Sequence, residues 1–412
     1  MTGAVTSADG ITAAGMTAAG ITAVGITAVV RGDERRAHRW RAARRVLLIR
    51  LDNLGDVLMT TPAIAAVRES LPGAHLTLLA APSIAALAPH LPMVDEIVGF
   101  DAPWTKAGAA AADAGDPPRG WTERRLVQRL CGADGGDRER PDAAIIFTVC
   151  TQSVFPAATL CRLAGIPLVL GHARERAYGL LSDEVADPDA IGPGMRHEVR
   201  RQLDLVASVG CRTQDERLRF ALRERDRLTV RAVLREAGLA EGRPYVVFHP
   251  GASAPSRRYP ADRLGEAADR IVREDRTGRT MAVLCAGPGE MALLAEMRRA
   301  MRAPAIVVAA TAGIGELAAL IADARLLVAN NSGPVHLAAA VGTPVVDLYA
   351  LTNPQHTPWQ VASRVLSHDV PCRDCQQSVC PQVHHACLRG IAPDRIAEAA
   401  GALLRPAMGA VA

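Results

Sequence analysis

Short apolar runs recur along the chain, each closed by a turn rich in glycine, proline, aspartate or asparagine, with stretches of helical spacing between them. Val46–Ile49 (VLLI), His75–Ala80, Asp95–Phe100, Ala143–Thr148 (AAIIFT) and Leu168–Leu170 read as strands, because unbroken apolar runs of this length suit strands buried on both faces. The segment after RLDNLGD reads as a helix through Arg68, which Pro62 either kinks or divides. Arg196–Gly210 and Leu218–Gly238 carry further helical patterns, and residues 104–140 lack clear periodicity and read as an insertion or loop. GRP at 242–244 is a turn signal, and the pattern then restarts. Its strands are Tyr245–His249, Met281–Cys285, Ile306–Ala309, Leu326–Ala329 and Pro344–Tyr349. Its helices run from about Ala261 to Glu274, over Ile314–Ala324, after NNSGP through Val341, and over Pro393–Leu404.

Strands alternating with helices predict an α/β fold with parallel sheets. The restart predicts two Rossmann-like halves, residues 46–240 and 241–392, facing each other across a cleft, with a closing helix and tail at 393–412. Ligands of such sheets sit off the carboxyl ends of the strands.

The chain has 412 residues, 49% hydrophobic and 22% charged, which supplies ample core and excludes wholesale disorder. No apolar run reaches the ~18 residues of a spanning helix. A net charge of +4 and only 3% aromatics speak against nucleic-acid binding. The positive charge is nearly all arginine, Lys106 being the single lysine. Residues 1–30 repeat a GITAA-like unit without the basic start and unbroken apolar core of a signal peptide. They read as a disordered leader, or as sequence ahead of the true start. Residues 31–45 (RGDERRAHRWRAARR) complete this leader as a basic arm, either solvated or touching an anionic membrane surface.

Four loops at predicted strand ends carry candidate chemistry. In Arg50-Leu-Asp-Asn-Leu-Gly-Asp56, Asp56 stands at a strand-to-helix junction, as a helix cap or as a general base on the cleft rim. Asn53, Thr60 and Thr61 lie nearby, where hydroxyl and amide groups suit a polyol acceptor. Asn330-Asn331-Ser332-Gly333-Pro334-Val335-His336 opens a helix, whose free N–H groups and dipole hold phosphate, with His336 returning to the same end. His249-Pro-Gly-Ala-Ser253, followed by Arg257, offers backbone amides and a guanidinium to a diphosphate. Gly287-Pro-Gly-Glu290 places a carboxylate where ribose hydroxyls are bound in dinucleotide sites.

Nine cysteines are present. Cys131, Cys150, Cys161, Cys211 and Cys285 are scattered and read as small buried hydrophobes. Cys372, Cys375, Cys380 and Cys387 are spaced C-x2-C-x4-C-x6-C, with His384 and His385 between them. That set is compatible with zinc or an iron–sulfur cluster, or with thiols stapling a loop. The odd total and scattered thiols point to a reducing compartment.

Taken in order, RLDNLGDVLMTTPAIAAVRESLP, HPGASAPSRRYP, AGPGE, NNSGPVHLAAAVGTPVVDLYALTNP and CRDCQQSVCPQVHHACL resemble glycosyltransferase family 9, which includes the lipopolysaccharide ADP-heptose heptosyltransferases. The resemblance spans roughly residues 46–404. It implies a GT-B fold and an inverting, metal-independent transfer from a nucleotide-sugar donor, ADP-heptose-like, to a glycan or lipid-linked acceptor, with no required cofactor. The reducing compartment reads as the cytoplasm, with the basic arm 31–45 as the one candidate for peripheral contact with the inner face of the membrane. The family's catalytic aspartate falls on Asp56, and its donor-binding positions on Ser253, Arg257, Glu290, Asn331, Ser332, Gly333 and His336. The family motif that often begins Asp-Thr-Gly is Asn331-Ser332-Gly333 here, and Arg257 stands where some members have a lysine. A nucleotide-sugar epimerase and a non-catalytic nucleotide- or metal-binding protein using the cysteines are the alternatives.

Overall fold

The computed structural model describes residues 34–105, 120–132, 139–192, 194–275, 277–287, 289–308 and 313–405. The repeat leader, Lys106 and residues 406–412 lie outside the described residues.

Two six-stranded sheets form the frame. The first holds β1 (Arg45–Arg50), β2 (His75–Ala80), β3 (Glu96–Gly99), β4 (Ala143–Ile146), β5 (Leu168–Ala173) and β6 (Asp183–Ala186), in the order β3-β2-β1-β4-β5-β6. The second holds β7 (Tyr245–His249), β8 (Met281–Cys285), β9 (Ala305–Val308), β10 (Leu326–Asn330), β11 (Val345–Leu348) and β12 (Ser363–Leu366), in the order β12-β11-β10-β7-β8-β9. Every pairing is parallel. In each sheet the chain winds outward and then returns to the other side of its first strand. The strand order therefore reverses between β1 and β4 in one sheet and between β7 and β10 in the other. These two switch points are where open α/β sheets leave a crevice for ligands.

The expected architecture of two Rossmann-like halves is thus present. Central strands such as β1, β4, β7 and β10 are buried almost throughout, which is why their sequences read as unbroken apolar runs. The helix Leu54–Ser70 continues through Pro62. Its residues from Val57 to Val67 are all buried, because it is packed between the helices Glu198–Ala207 and Gly333–Val341, one from each half. A single buried apolar cluster accordingly runs from Trp40 in the first half to Val345 in the second.

Several expectations need correction. Residues 104–140 are not wholly irregular: Gly120–Leu130 is a helix whose Leu126 and Leu130 are buried in the first half's core. The helix expected from Leu218 starts only at Glu224, because the segment before it is held in a non-helical course, with Leu218 buried and Ala221 N–H donating to His90 O. The basic arm is not simply solvated: residues 34–41 are helical, Trp40 is fully buried, and its Nε1–H donates to Asp183, which also pairs with Arg36 and Arg39. Cys131 is exposed, whereas the other four scattered thiols are buried as expected.

A candidate active site at the junction of the two halves

Asp56 is the third residue of the helix Leu54–Ser70 that leaves β1. Its Oδ2 accepts from the Asn53 backbone N–H at 3.2 Å, a capping role, and its Oδ1 stays free of main-chain donors. Oδ1 faces the Arg50 guanidinium at 3.5 Å and His356 Nε2 at 4.0 Å. The cap reading and the rim reading of Asp56 therefore hold together, one oxygen for each.

Arg50 organises the charge. It is fully buried and meets three carboxylates: Asp52 at 3.1 Å, Asp56 at 3.5 Å and Glu198 at 2.9 Å. One guanidinium neutralises one of three acids, so the cluster carries excess negative charge in a poorly solvated place. Burial pushes the Asp56 carboxyl above its ordinary value, Arg50 pulls it down and Glu198 pushes it further up. Asp52 is raised for the same leading reason, burial. Glu198 goes the other way: Arg50 and Arg201 together overcome its burial, and it stays ionised. A raised, partly shielded carboxylate is a stronger proton acceptor than an exposed one.

The second half supplies the opposite wall. Two glycines set how close the walls come. A Cβ on Gly55 would lie 2.7 Å from the His336 ring, and one on Gly333 would lie 2.9 Å from Leu54. In each of the two helix starts, RLDNLGD and NNSGPVH, a bare glycine thus lets a side chain of the other lie against it. Burial holds the His336 ring well below the ordinary histidine value, so it is neutral, and its buried Nδ1 has no protein partner. Ser332 is the N-cap of Gly333–Val341, with Oγ donating to the Asn330 carbonyl at 3.1 Å. Arg257 ends a short turn after β7 and is near enough to act electrostatically on Asp56, His336 and His356. A guanidinium, a helix start and a neutral imidazole thus converge beside Asp56, a set that suits a leaving diphosphate.

The remaining expected residues have varied placements. Ser253 is exposed on the loop after β7. Glu290 accepts from Gly287 N–H at 3.0 Å and lies against Gly251, where a Cβ would collide with its carboxylate. Asn331 is spent inside the protein: its side-chain amide donates to Asp347 at 2.9 Å and to the His356 carbonyl at 2.8 Å. Thr60 and Thr61 are buried, their hydroxyls bound to the carbonyls of Asp56 and Leu58, so neither reaches the cleft.

A loop between β11 and β12 straps the halves together. The Gln355 carbonyl accepts from Glu198 N–H, its side chain donates to the Arg196 carbonyl, and Trp359 Nε1–H donates to the Glu216 carbonyl. The His197 ring lies tilted against Trp359 with ring centroids 4.5 Å apart. This strap carries His356 to Asp56. Burial pushes the rings of His356 and His197 down to about 4, so both are neutral near pH 7.

The sequence model of glycosyltransferase family 9 (heptosyltransferase) matches residues 145–385, more than half of the chain. The chain belongs to glycosyltransferase family 9. Among relatives of this family, lipopolysaccharide heptosyltransferase 1 of Pseudomonas aeruginosa is 28% identical over 341 residues, 82% of this chain and 87% of the relative. Lipopolysaccharide heptosyltransferase 2 of Salmonella typhimurium is 24% identical, over 87% of this chain and 98% of its own. In fold the chain is similar to the glycosyl transferase family 9 structure from Veillonella parvula, with a TM-score of 0.68 and 21% identity over 88% of this chain and 97% of that one. It is also similar to ADP-heptose lps heptosyltransferase II of E. coli, with a TM-score of 0.64 and 24% identity over 87% and 98%. As a family 9 member the protein is a glycosyltransferase of GT-B architecture, and the epimerase and non-catalytic alternatives give way.

Four residues of this candidate site went unassigned from the sequence: Arg50, Asp52, Glu198 and His356. Arg50 and Asp52 stood inside the quoted motif without a role, and Glu198 and His356 lie far from it in the chain. The cysteine cluster is not drawn into a ligand set. Cys372 Sγ lies 3.9 Å from His384 Nε2, but among the described residues no group of three or more His, Cys, Asp or Glu side chains is arranged to hold a metal ion. Among the described residues no helix is long and apolar enough to cross a membrane.

Proposed function

We propose that the protein transfers heptose from ADP-heptose to a sugar of a lipopolysaccharide acceptor, with inversion, and that Asp56 is the general base. The observation that carries this reading is Asp56 itself: a raised carboxylate at the junction of the halves, one oxygen capped and the other directed toward the second half. The names of the relatives, lipopolysaccharide heptosyltransferases 1 and 2, support the donor and acceptor classes.

In this mechanism Asp56 takes the proton of the acceptor hydroxyl. The oxygen attacks the anomeric carbon on the face opposite the nucleotide, the bond from that carbon to the diphosphate oxygen breaks, and ADP leaves. Charge growing on the diphosphate is met by Arg257 and by the N-terminus of Gly333–Val341, with His336 beside it. A fixed cation and backbone dipoles stabilise such a leaving group without reorganising, which supports a transfer that needs no metal.

The test is Asp56→Asn, which keeps the side-chain shape. Acceptor-dependent ADP release should fall about 10²–10⁴-fold, the usual worth of a positioned base. The ADP dissociation constant, measured by calorimetry, should stay within about twofold of the wild-type value. A parallel loss of ADP affinity would make Asp56 part of the donor pocket and remove it as the base.

A further inference from the structure

The loop that straps the halves together is held to the first half by four hydrogen bonds. They join Gln355 to Glu198 and to Arg196, Thr357 to His197 and Trp359 to Glu216, at 2.8–3.1 Å. From the second half, the strap is gripped by a residue that the sequence assigns to the donor. Asn331 lies in the NNSGPVH turn and is buried. Its side-chain nitrogen carries two hydrogens and has two partners, Asp347 Oδ2 at 2.9 Å and the His356 carbonyl at 2.8 Å.

Three observations give this grip a purpose. First, the chemistry of the partners selects asparagine. A main-chain carbonyl only accepts, so it must face the amide nitrogen, and that choice turns the same nitrogen toward Asp347. An ionised aspartate at position 331 would offer no hydrogen to either partner, and a protonated one would offer a single hydrogen. Second, Asp347 is fully buried on β11, its Oδ1 has no hydrogen-bond partner, and burial pushes its carboxyl up to about 8. Near neutral pH it therefore keeps its proton, and Oδ2 accepts from Asn331 without bringing a charge into the interior. Third, the residue whose carbonyl Asn331 holds is the one whose ring Nε2 stands 4.0 Å from Asp56 Oδ1. Asp56 is faced by Arg50 and Asp52 from the end of β1, by Glu198 from the helix Glu198–Ala207, by Arg257 from the turn after β7 and by His356 from the strap. The neutral His336 ring lies against the adjoining Gly55. His356 is neutral as well, so its part beside Asp56 is cover rather than charge.

We propose that Asn331 is a positioning residue for Asp56 rather than a ligand of the donor: oriented by Asp347, it clamps the strap so that the His356 ring stays beside Asp56 and limits the access of water to it. The proposal rests on the transfer reading above for its effect on turnover, and on the hydrogen bonds alone for the clamp. Burial is the leading cause of the raised Asp56 carboxyl, so the clamp acts on the strength of the base through the cover it holds in place. Because Asn331 directly precedes Ser332, the same residue ties the strap to the helix start that faces the leaving diphosphate.

The test uses the full chain and the variants Asn331→Ala, His356→Ala and Asp347→Asn. Hydrogen exchange of the strap, residues 351–362, is read first by mass spectrometry, with no chemistry required. In Asn331→Ala it should quicken about tenfold, the loss of one buried hydrogen bond. The ADP dissociation constant by calorimetry, and the KM for ADP-heptose, should stay within about twofold of wild type, because no donor contact has been removed. Acceptor-dependent ADP release is read second. Its kcat should fall about tenfold, and the acidic limb of kcat/KM should move to lower pH as water reaches Asp56 and relieves the burial that raises it. His356→Ala removes the cover and leaves the clamp residues in place, so it should shift the limb in the same direction. It carries the test where Asn331→Ala fails to fold. Asp347→Asn keeps an acceptor oxygen for Asn331 and should retain both the wild-type exchange and the wild-type limb. Unchanged strap exchange in Asn331→Ala overturns the clamp. A donor KM or ADP dissociation constant that rises tenfold or more with the limb unmoved makes Asn331 a donor ligand and overturns the proposal, as does an unmoved limb in both alanine variants. Faster strap exchange in a protein whose wild type releases no ADP from ADP-heptose keeps the clamp and overturns the transfer reading.

Discussion

Replacing Glu198 by glutamine tests whether the buried charge cluster sets the strength of the proposed base, Asp56. Glu198 and Asp56 contact the same guanidinium, at 2.9 and 3.5 Å, which places the two carboxylates within roughly 9 Å of each other. At an effective dielectric constant of about 20, two unit charges at that separation repel by about 2 kcal/mol, a little more than one pKa unit. Glu198 is ionised and pushes Asp56 up, so its neutralisation lowers Asp56 by about one unit. Arg50, released from Glu198, pulls harder on Asp56, and that change has the same sign.

The assay is the pH dependence of kcat/KM for acceptor-dependent ADP release. Activity needs Asp56 ionised, so it falls as pH drops through the raised value of the cluster. The limb belongs to the coupled acids rather than to one residue. In Glu198→Gln that acidic limb should move down by about one pH unit, and the plateau rate should fall because a weaker base accepts the proton. The protein should survive the change. Removing the partner of a buried ion typically costs about 3–5 kcal/mol, but Arg50 keeps Asp52 and Asp56, and one source of repulsion is gone. The loss should therefore be under about 3 kcal/mol. A limb that stays in place, or that moves to higher pH, refutes the claim that Glu198 tunes Asp56.

Two further substitutions probe the packing around the site. Gly55→Ala inserts a methyl 2.7 Å from the buried His336 ring, an overpacking worth about 1–3 kcal/mol, and should lower both ADP affinity and turnover by about tenfold or more; Gly401→Ala, whose methyl meets nothing, is the control, and equal behaviour of the two sinks the close-approach argument. Asp347 is fully buried and burial pushes its carboxyl up to about 8, while in the unfolded chain it ionises near its ordinary value of 3.8. The unfolded state therefore binds fewer protons than the folded state through that window, so Asp347 costs stability increasingly as pH rises from about 4 to about 8. Asp347→Asn has no proton to lose, and its melting temperature should gain on the wild type steadily across that range. A difference independent of pH would show that Asp347 ionises normally in the folded protein.

What could be read from the chain, and what could not, divides along a physical line. The central strands were legible because parallel strands buried on both faces must be apolar throughout, as in VLLI and AAIIFT. The edge strands β6 and β12 escaped notice because half of each is solvated and carries charge, as in DEVA and SRVL. Among site loops, RLDNLGD and NNSGPVH were legible because a close approach of two helix starts leaves glycines at fixed places, and those glycines are local facts. The charge cluster is different in kind. Glu198 lies in RHEVRRQLDLVA, which reads as a helix with a polar solvent face, yet Glu198, Arg201 and Gln202 are all buried there. A buried glutamate and an exposed one are spelled alike, and only the arrival of Arg50 from β1 makes burial of Glu198 tolerable. His356 likewise sits in a turn-rich strap whose role depends on where the strap lands. The identity of the proposed base is thus written beside its own strand, but its strength is a sum over burial and residues 50, 53, 198 and 257, drawn from both halves. It follows that a family 9 chain carrying the same RLDNLGD loop without acids at the counterparts of Asp52 and Glu198 should have a weaker base and an activity limb at lower pH, although its motif looks the same.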